Sequence, residues 1–466
     1  MQPDETYITL RIMLWFYFGW TINNKKLPPL MKPFITRSVF AFAVCALLIA
    51  AKANALAAPA ATTTPKKPFP QHIVYAAGSI KPNDVSPAQR DAMTAKRYAD
   101  WKKAYLRQGC GPGRYYIYVA KGNKNLDTDV NRDTLTVSEG HGYGMLIFAW
   151  MAGYDINAKK YFDGMVRYWQ DHQASSGNGL MAWNQVKGCK NAVKNPAGGP
   201  VNGSGTATDG DLDIAYALLL ADKQWSSAGT FNYRHLAVSA IQAVRMREIN
   251  PVTHHVLLGD WVNPIDPEFY YATRPSDFML SHFRAFLAAT NHGEWTNIIN
   301  KTYDIIKTMQ TRFSPTTGLL PDFVVTIQTG TRPAAAEFLE GPEDGWYSYN
   351  SCRTPWRIGM DFLLYGEARA RTAVGKINAW IKIKTGGDPG KILDGYRLNG
   401  IAFGTGDDLA FVAPFGVSAM SGSANQAWLN KLWAGITARK VSDTDYFGET
   451  LTMLSLIAMS GNAWKP

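Results

Sequence analysis

Four stretches of this chain gather carboxylates in settings where they can do chemistry. In Thr136-Val-Ser-Glu-Gly-His-Gly-Tyr-Gly-Met145, Glu139 stands among Gly140, Gly142 and Gly144 at the start of an apolar run. The dipole at a helix N-terminus favours a carboxylate, which accounts for Glu139 alone. Three glycines besides let a ligand approach the backbone closely. Ala207-Thr-Asp-Gly-Asp-Leu-Asp-Ile-Ala215 spaces Asp209, Asp211 and Asp213 alternately at a helix mouth. Such a trio caps a helix, binds calcium or flanks a sugar ring. Asp127–Asp133 starts like an EF-hand loop, but Arg132 replaces the required glycine and Ser138 the closing Glu, so a polar turn is expected. Glu337–Arg357 interleaves Glu337, Glu340, Glu343 and Asp344 with Trp346, Tyr347 and Tyr349. Flat rings with polar edges suit sugars, and Trp183 and Trp261 repeat the theme in other polar loops.

The elements that must position these residues are helices. Ile214, Ala215, Leu218 and Leu219 recur at helical spacing after Asp211, and Met145, Ile147, Phe148 and Met151 do so after Ser138, a candidate cap. Thr354-Pro355 opens another helix with proline in its first turn. Leu236–Arg247, Phe283–Ala289, Trp295–Gln310, Ile377–Ile383, Ala427–Ala438 and Thr450–Met459 also read as helical. No strand or βαβ unit is expected before Gly140-His-Gly-Tyr-Gly144, which argues against a phosphate loop there. Many helices with no 34- or 40-residue period predict a helical barrel or solenoid rather than a repeat array.

At 466 residues, 46% hydrophobic, with 15 tryptophans, the chain has enough apolar surface for a large core, which excludes wholesale disorder. Its formal charge is +11. Part of that excess belongs to an address: residues 31–58 run from Lys32 and Arg37 through an apolar stretch to small-residue triplets near Ala55, the layout of a secretory signal. Met31 is the expected start, residues 1–57 the extension and signal, 58–70 a Pro/Thr/Ala linker, and 71–466 one catalytic domain. The rival is an uncleaved anchor that also uses Ile8–Ile22. Dropping six Lys/Arg and two acids with residues 1–58 takes the charge to +7, and what remains is dispersed, so no nucleic-acid partner is expected. A secreted or periplasmic monomer, not held in a membrane once the signal is cut, is the reading. In an oxidising compartment Cys110 and Cys189, both in glycine-rich sequence, are the expected disulfide, leaving Cys352 a buried thiol. No CxxC or Cys/His pairing suggests a metal.

ATDGDLDIAYALLLADKQW (Ala207–Trp225), VSEGHGYGM (Val137–Met145) and YSYNSCRTPWRIGMDF (Tyr347–Phe362) together resemble glycoside hydrolase family 8, over about residues 80–460. The resemblance implies an all-α (α/α)6 barrel, no cofactor or metal, and inverting hydrolysis of a β-1,4-linked polysaccharide: chitosan, mixed-linkage β-glucan or cellulose. It implies Glu139 as general acid and Asp209 lining the central subsite. Tyr349 and Arg353 would hold the site beside the attacking water, with Trp183 and Trp261 as stacking platforms and Asp211 as a further substrate-binding acid. Most members have Asp as general base where this chain has Asn350, and an amide cannot take the water's proton. The chitosanase, lichenase and cellulase subgroup shares that Asn and takes its base ten residues earlier, which is Glu340 here, with Glu337 and Glu343 as lesser candidates. Two alternatives stand beside this reading. Asn350 also fits a catalytically dead carbohydrate-binding protein, and a polyuronate lyase also uses helical barrels.

Overall fold

The computed structural model describes residues 64–119, 121, 134–177, 179–192 and 203–466. The signal-like segment, the start of the linker and the Asp127–Asp133 stretch lie outside them. The chain divides into a unit ending at Ala60 and one from Ala61 to Pro466, and all described residues belong to the second.

Helices alternate along the chain between two patterns of burial. Six are deeply buried, five nearly all round and α6 over its first half: α2 (Ser138–Met151), α4 (Thr208–Trp225), α6 (Leu280–Thr290), α8 (Thr354–Tyr365), α10 (Leu409–Ala419) and α12 (Tyr446–Ser460). Each packs on the next, and α12 returns to α2, so they close a ring. The intervening α1 (Pro87–Tyr105), α3 (Ala158–Asp171), α5 (Tyr233–Arg247), α7 (Glu294–Thr308), α9 (Ala368–Lys384) and α11 (Gln426–Ala438) bury one face each and form the outer layer. Trp295, Ile298, Ile299, Thr302, Tyr303 and Ile306 of α7 show the stripe. This is an (α/α)6 barrel.

Gly142 and Gly144 of α2 serve this packing, a role the sequence reading did not give them. A Cβ on Gly142 would lie 2.6 Å from Asp213 Cβ, and one on Gly144 2.6 Å from Ile117. Gly210 faces back from α4, where a Cβ would stand 2.6 Å from the Ser138 carbonyl carbon. Helices α2 and α4 thus touch at their backbones.

Among the described residues, three small antiparallel sheets decorate the barrel. A strand does precede α2: β3 (Thr134–Val137) pairs with β4 (Asn184–Val186), which pairs with β5 (Lys190–Asn191). Hairpin β1 (Leu106–Gln108)/β2 (Tyr115–Ile117) lies earlier, and β6 (Val324–Val325)/β7 (Arg332–Pro333) later. Cys110, after β1, is bonded to Cys189, between β4 and β5, and Cys352 is a buried free thiol. The end of the expected linker is part of the domain: Lys66 N–H donates to the Gln224 carbonyl at 2.8 Å and Phe69 N–H to that of Ala152 at 2.7 Å. Among the described residues, no helix is long and apolar enough to cross a membrane.

Candidate active site

One end of the barrel collects the N-termini of the inner helices, and each delivers a polar group there. Glu139 comes from the first turn of α2, Asp209 from that of α4, and Asp277 from the turn before α6. Arg353 precedes α8, Asp408 caps α10, and Tyr446 opens α12. Helix dipoles favour the carboxylates at such ends.

Arg353 is the hub. Its Nη1 donates to Glu139 Oε2 and Asp209 Oδ2, both at 2.7 Å, and to the Tyr143 hydroxyl at 3.2 Å. Its Nη2 donates to Asn350 Oδ1 at 2.8 Å, and its Nε to the Asn350 carbonyl at 3.1 Å. A guanidinium only donates, so the Asn350 amide must present its oxygen to Arg353 and its NH2 to the other side. That NH2 donates to Glu340 Oε2 at 2.7 Å, while Arg274 Nη2 donates to Glu340 Oε1 at 2.5 Å. Glu139 is therefore joined to Glu340 through Arg353 and Asn350.

Glu139 is sheltered but reachable, with its side chain 17% exposed. Its Oε1 accepts the Tyr446 hydroxyl at 2.8 Å. Burial pushes its carboxyl up to about 7, Arg353 opposes this, and Asp209 adds to the rise. Its place beside Trp183 follows from the backbone: the Trp183 carbonyl accepts the Ser138 N–H at 2.9 Å. Ser138 is thus the first residue of α2 and not its side-chain cap, contrary to expectation.

Glu340 is 45% exposed on a preformed loop. The Asp344 carboxylate accepts the N–H groups of Leu339, Glu340 and Gly341 at 2.7–3.1 Å, and Phe338 packs on Phe323 and Phe269. Asp322 does the same for the next turn, accepting the N–H groups of Ser348, Asn350 and Ser351. Of the four acids in Glu337–Asp344, Glu340 is the one that bonds Asn350.

The remaining expected residues divide. Tyr349 is 39% exposed and donates its hydroxyl to Asp408 at 3.0 Å. Trp183 and Trp261 are half-buried, Trp261 with its edge to Phe269. Asp211 is not among the clustered side chains: it is 2% exposed and accepts the Met181 N–H, a departure from the substrate-binding role expected of it. Asp213 is a strut inside the ring. Burial would raise its carboxyl, but Arg357 and His282, both bonded to it, hold it below the usual range.

Arg274, Asp277, Tyr143 and Tyr446 escaped the sequence reading. Position was the available signal, since Tyr446 opens an inner helix as Glu139 and Asp209 do, and Asp277 lies in the turn just before one. Burial, then Asp209, raise the Asp277 carboxyl to about 7.

Residues 80–461 match the glycosyl hydrolases family 8. The chain belongs to this family. It is 46% identical to a β-glucanase of Niallia circulans over 87% of this chain and 93% of that protein. It is 38% identical to an endoglucanase of Bacillus sp. strain KSM-330, over 86% and 82% respectively. The apo structure of a β-1,3-1,4-glucanase from Paenibacillus sp. X4 superposes with TM-score 0.79 at 46% identity, covering 86% of this chain and all of that one. This family member is an enzyme, a glycoside hydrolase, so the dead-binder and lyase alternatives are set aside.

Proposed function

We propose that this hydrolase is a secreted, inverting endo-β-glucanase with Glu139 as general acid, Glu340 as general base and mixed-linkage β-1,3-1,4-glucan as substrate. The observation that carries the mechanism is the hydrogen-bonded series Glu139–Arg353–Asn350–Glu340. Three hydrogen bonds and two side chains stand between the carboxyls. That suits the roughly 6.5–9.5 Å gap that admits water in inverting enzymes better than the roughly 5 Å of retaining ones.

The two environments set the two roles. Burial leaves Glu139 protonated in the neutral range, ready to give its proton to the leaving glycosidic oxygen. Glu340 meets solvent and accepts from Arg274 and Asn350, which fix its carboxylate for taking a proton from the attacking water. Asp209, tied to Arg353, lines the subsite between them, and Trp183 and Trp261 offer their rings to sugars on either side. A neutral glucan fits this cleft better than chitosan, because the acids a polycation would seek are engaged: Glu139 and Asp209 with Arg353, Glu340 with Arg274, and Asp344 with backbone N–H groups. The relatives' names point the same way. The signal-like segment and the Cys110–Cys189 bond support export.

The test is reducing-end release from barley β-glucan, carboxymethylcellulose, chitosan and xylan, with product anomers followed by proton NMR. Barley β-glucan should be cut fastest, with α-anomers formed first. Glu139→Gln and Glu340→Gln should each lower kcat by about 10³-fold or more. Initial β-anomers, or full activity in Glu340→Gln, would overturn the mechanism; faster cleavage of chitosan would overturn the substrate.

A further inference from the structure

Asp211 shares the first turn of α4 with Asp209, yet its carboxylate takes part in a different structure. Its Oδ1 accepts the Met181 N–H at 2.8 Å. Glu248, just after α5, accepts the Thr206 hydroxyl on Oε1 at 2.6 Å. That leaves Asp211 Oδ2 and Glu248 Oε2, both buried and neither given a donor by the surrounding protein. The two side chains are hydrogen-bonding neighbours. Two carboxylates here would repel in a dry site, whereas one proton held between them supplies the missing donor and removes one charge.

Two further acids, Asp260 and Asp277, face this pair. Asp260 Oδ1 accepts the Thr206 N–H at 2.9 Å, and the Asp260 N–H donates to Thr206 Oγ1 at 2.8 Å. Asp260 and Asp277 both act on Glu248, and Asp260 also on Asp211, in the direction of keeping the proton.

We propose that Asp211 and Glu248 form a proton-sharing pair that positions the two aromatic platforms of the cleft. Met181, bonded to Asp211, lies two residues before Trp183. Thr206, bonded to Glu248, holds Asp260, which immediately precedes Trp261. The pair is the joint between the two segments. Burial is the main reason both carboxyls are raised, so the pair keeps one proton between them. As pH rises far enough to remove the shared proton, two buried anions part and carry both segments with them. Glycan binding weakens, independently of the proton on Glu139. The inference rests on the reading of Trp183 and Trp261 as sugar platforms.

The experiment measures binding without turnover: calorimetric titration of Glu139→Gln with a β-1,3-1,4-gluco-oligosaccharide from about pH 6 to about pH 10. Affinity should fall about fivefold or more over that range, with the far-ultraviolet circular dichroism unchanged. Adding Asp211→Asn, whose amide donates to Glu248 and cannot ionise, should abolish the pH dependence, and Glu248→Gln should do the same from the other side. An alkaline loss that persists in both double variants, or a flat profile in Glu139→Gln itself, overturns the proton-sharing pair. If Trp183→Ala and Trp261→Ala in the same background bind as tightly as their parent, the platform reading falls instead, and this inference with it.

Discussion

As the proposed general acid, Glu139 has to carry a proton at the pH where the enzyme turns over and then lose it to the leaving oxygen. Burial gives it that capacity, and Arg353 limits it. The alkaline limb of the pH–rate profile should therefore fall near pH 7. The Tyr446 hydroxyl donates to Glu139 and favours the ionised form. Tyr446→Phe should move that limb upward and lower kcat at acid pH by less than about tenfold; an unmoved limb would mean that another group sets it. Glu139 and Asp209 were legible in the sequence because each sits in a dense local motif. Arg274 and Tyr446 were not, because each reaches its partner across 66 and 307 residues of chain with no local mark of the meeting.

At the scale of elements, the decisive contact is α2 against α4, which brings the proposed acid and Asp209 to one arginine. Gly142 and Gly210 permit it. Gly210→Ala would drive a methyl group into the Ser138 backbone, so the helices must separate. A loss of about 2–3 kcal/mol in urea unfolding is expected, with kcat reduced more than KM is raised. A variant as stable and active as the parent would show that the helices have room to spare. The helices themselves were readable from apolar periodicity, and all six of the later segments read as helical contain helix. The purpose of the glycines was not, because a GxGxG run looks the same whether it faces a ligand or another helix. Tryptophan is ambiguous in a similar way. Trp183 and Trp261 were read as sugar platforms, yet Trp101, Trp150, Trp169, Trp225, Trp295, Trp356, Trp428, Trp433 and Trp464 are buried in the core. Only neighbours in space distinguish a platform from a core ring.

For the whole molecule, the ring of inner helices concentrates carboxyls in low-dielectric surroundings. Burial is the main reason Glu139, Asp277, Asp322 and Glu449 are each raised to about 7. A folded-state value above the unfolded one means stability that is complete at acid pH and lost as pH rises through the folded value. Asp213, Asp155 and Glu367, held low by cations, oppose this only below the ordinary carboxylate range. The buried neutral His141 and His255, lowered to about 3, oppose it below the ordinary histidine value but are fewer than the raised acids. The melting temperature should thus be several degrees higher at about pH 5 than at about pH 8, as calorimetry can measure; the reverse order would show the buried acids ionised in the fold. Many helices without a repeat period left a barrel or a solenoid open, and the family resemblance implied the barrel. The closure of six of them into a ring was not legible, because it depends on which faces meet.

The Cys110–Cys189 bond joins a hairpin before α2 to the sheet that continues directly from Trp183. Its seventy-nine-residue span crosses the segment that bears Glu139. Chain made in a reducing cytoplasm and chain passed through an oxidising one would share every residue and the same barrel, yet differ in how firmly one wall of the cleft is fastened. Activity would then depend on the history of a preparation as well as on its sequence. Thiol titration should accompany any comparison of rates between preparations.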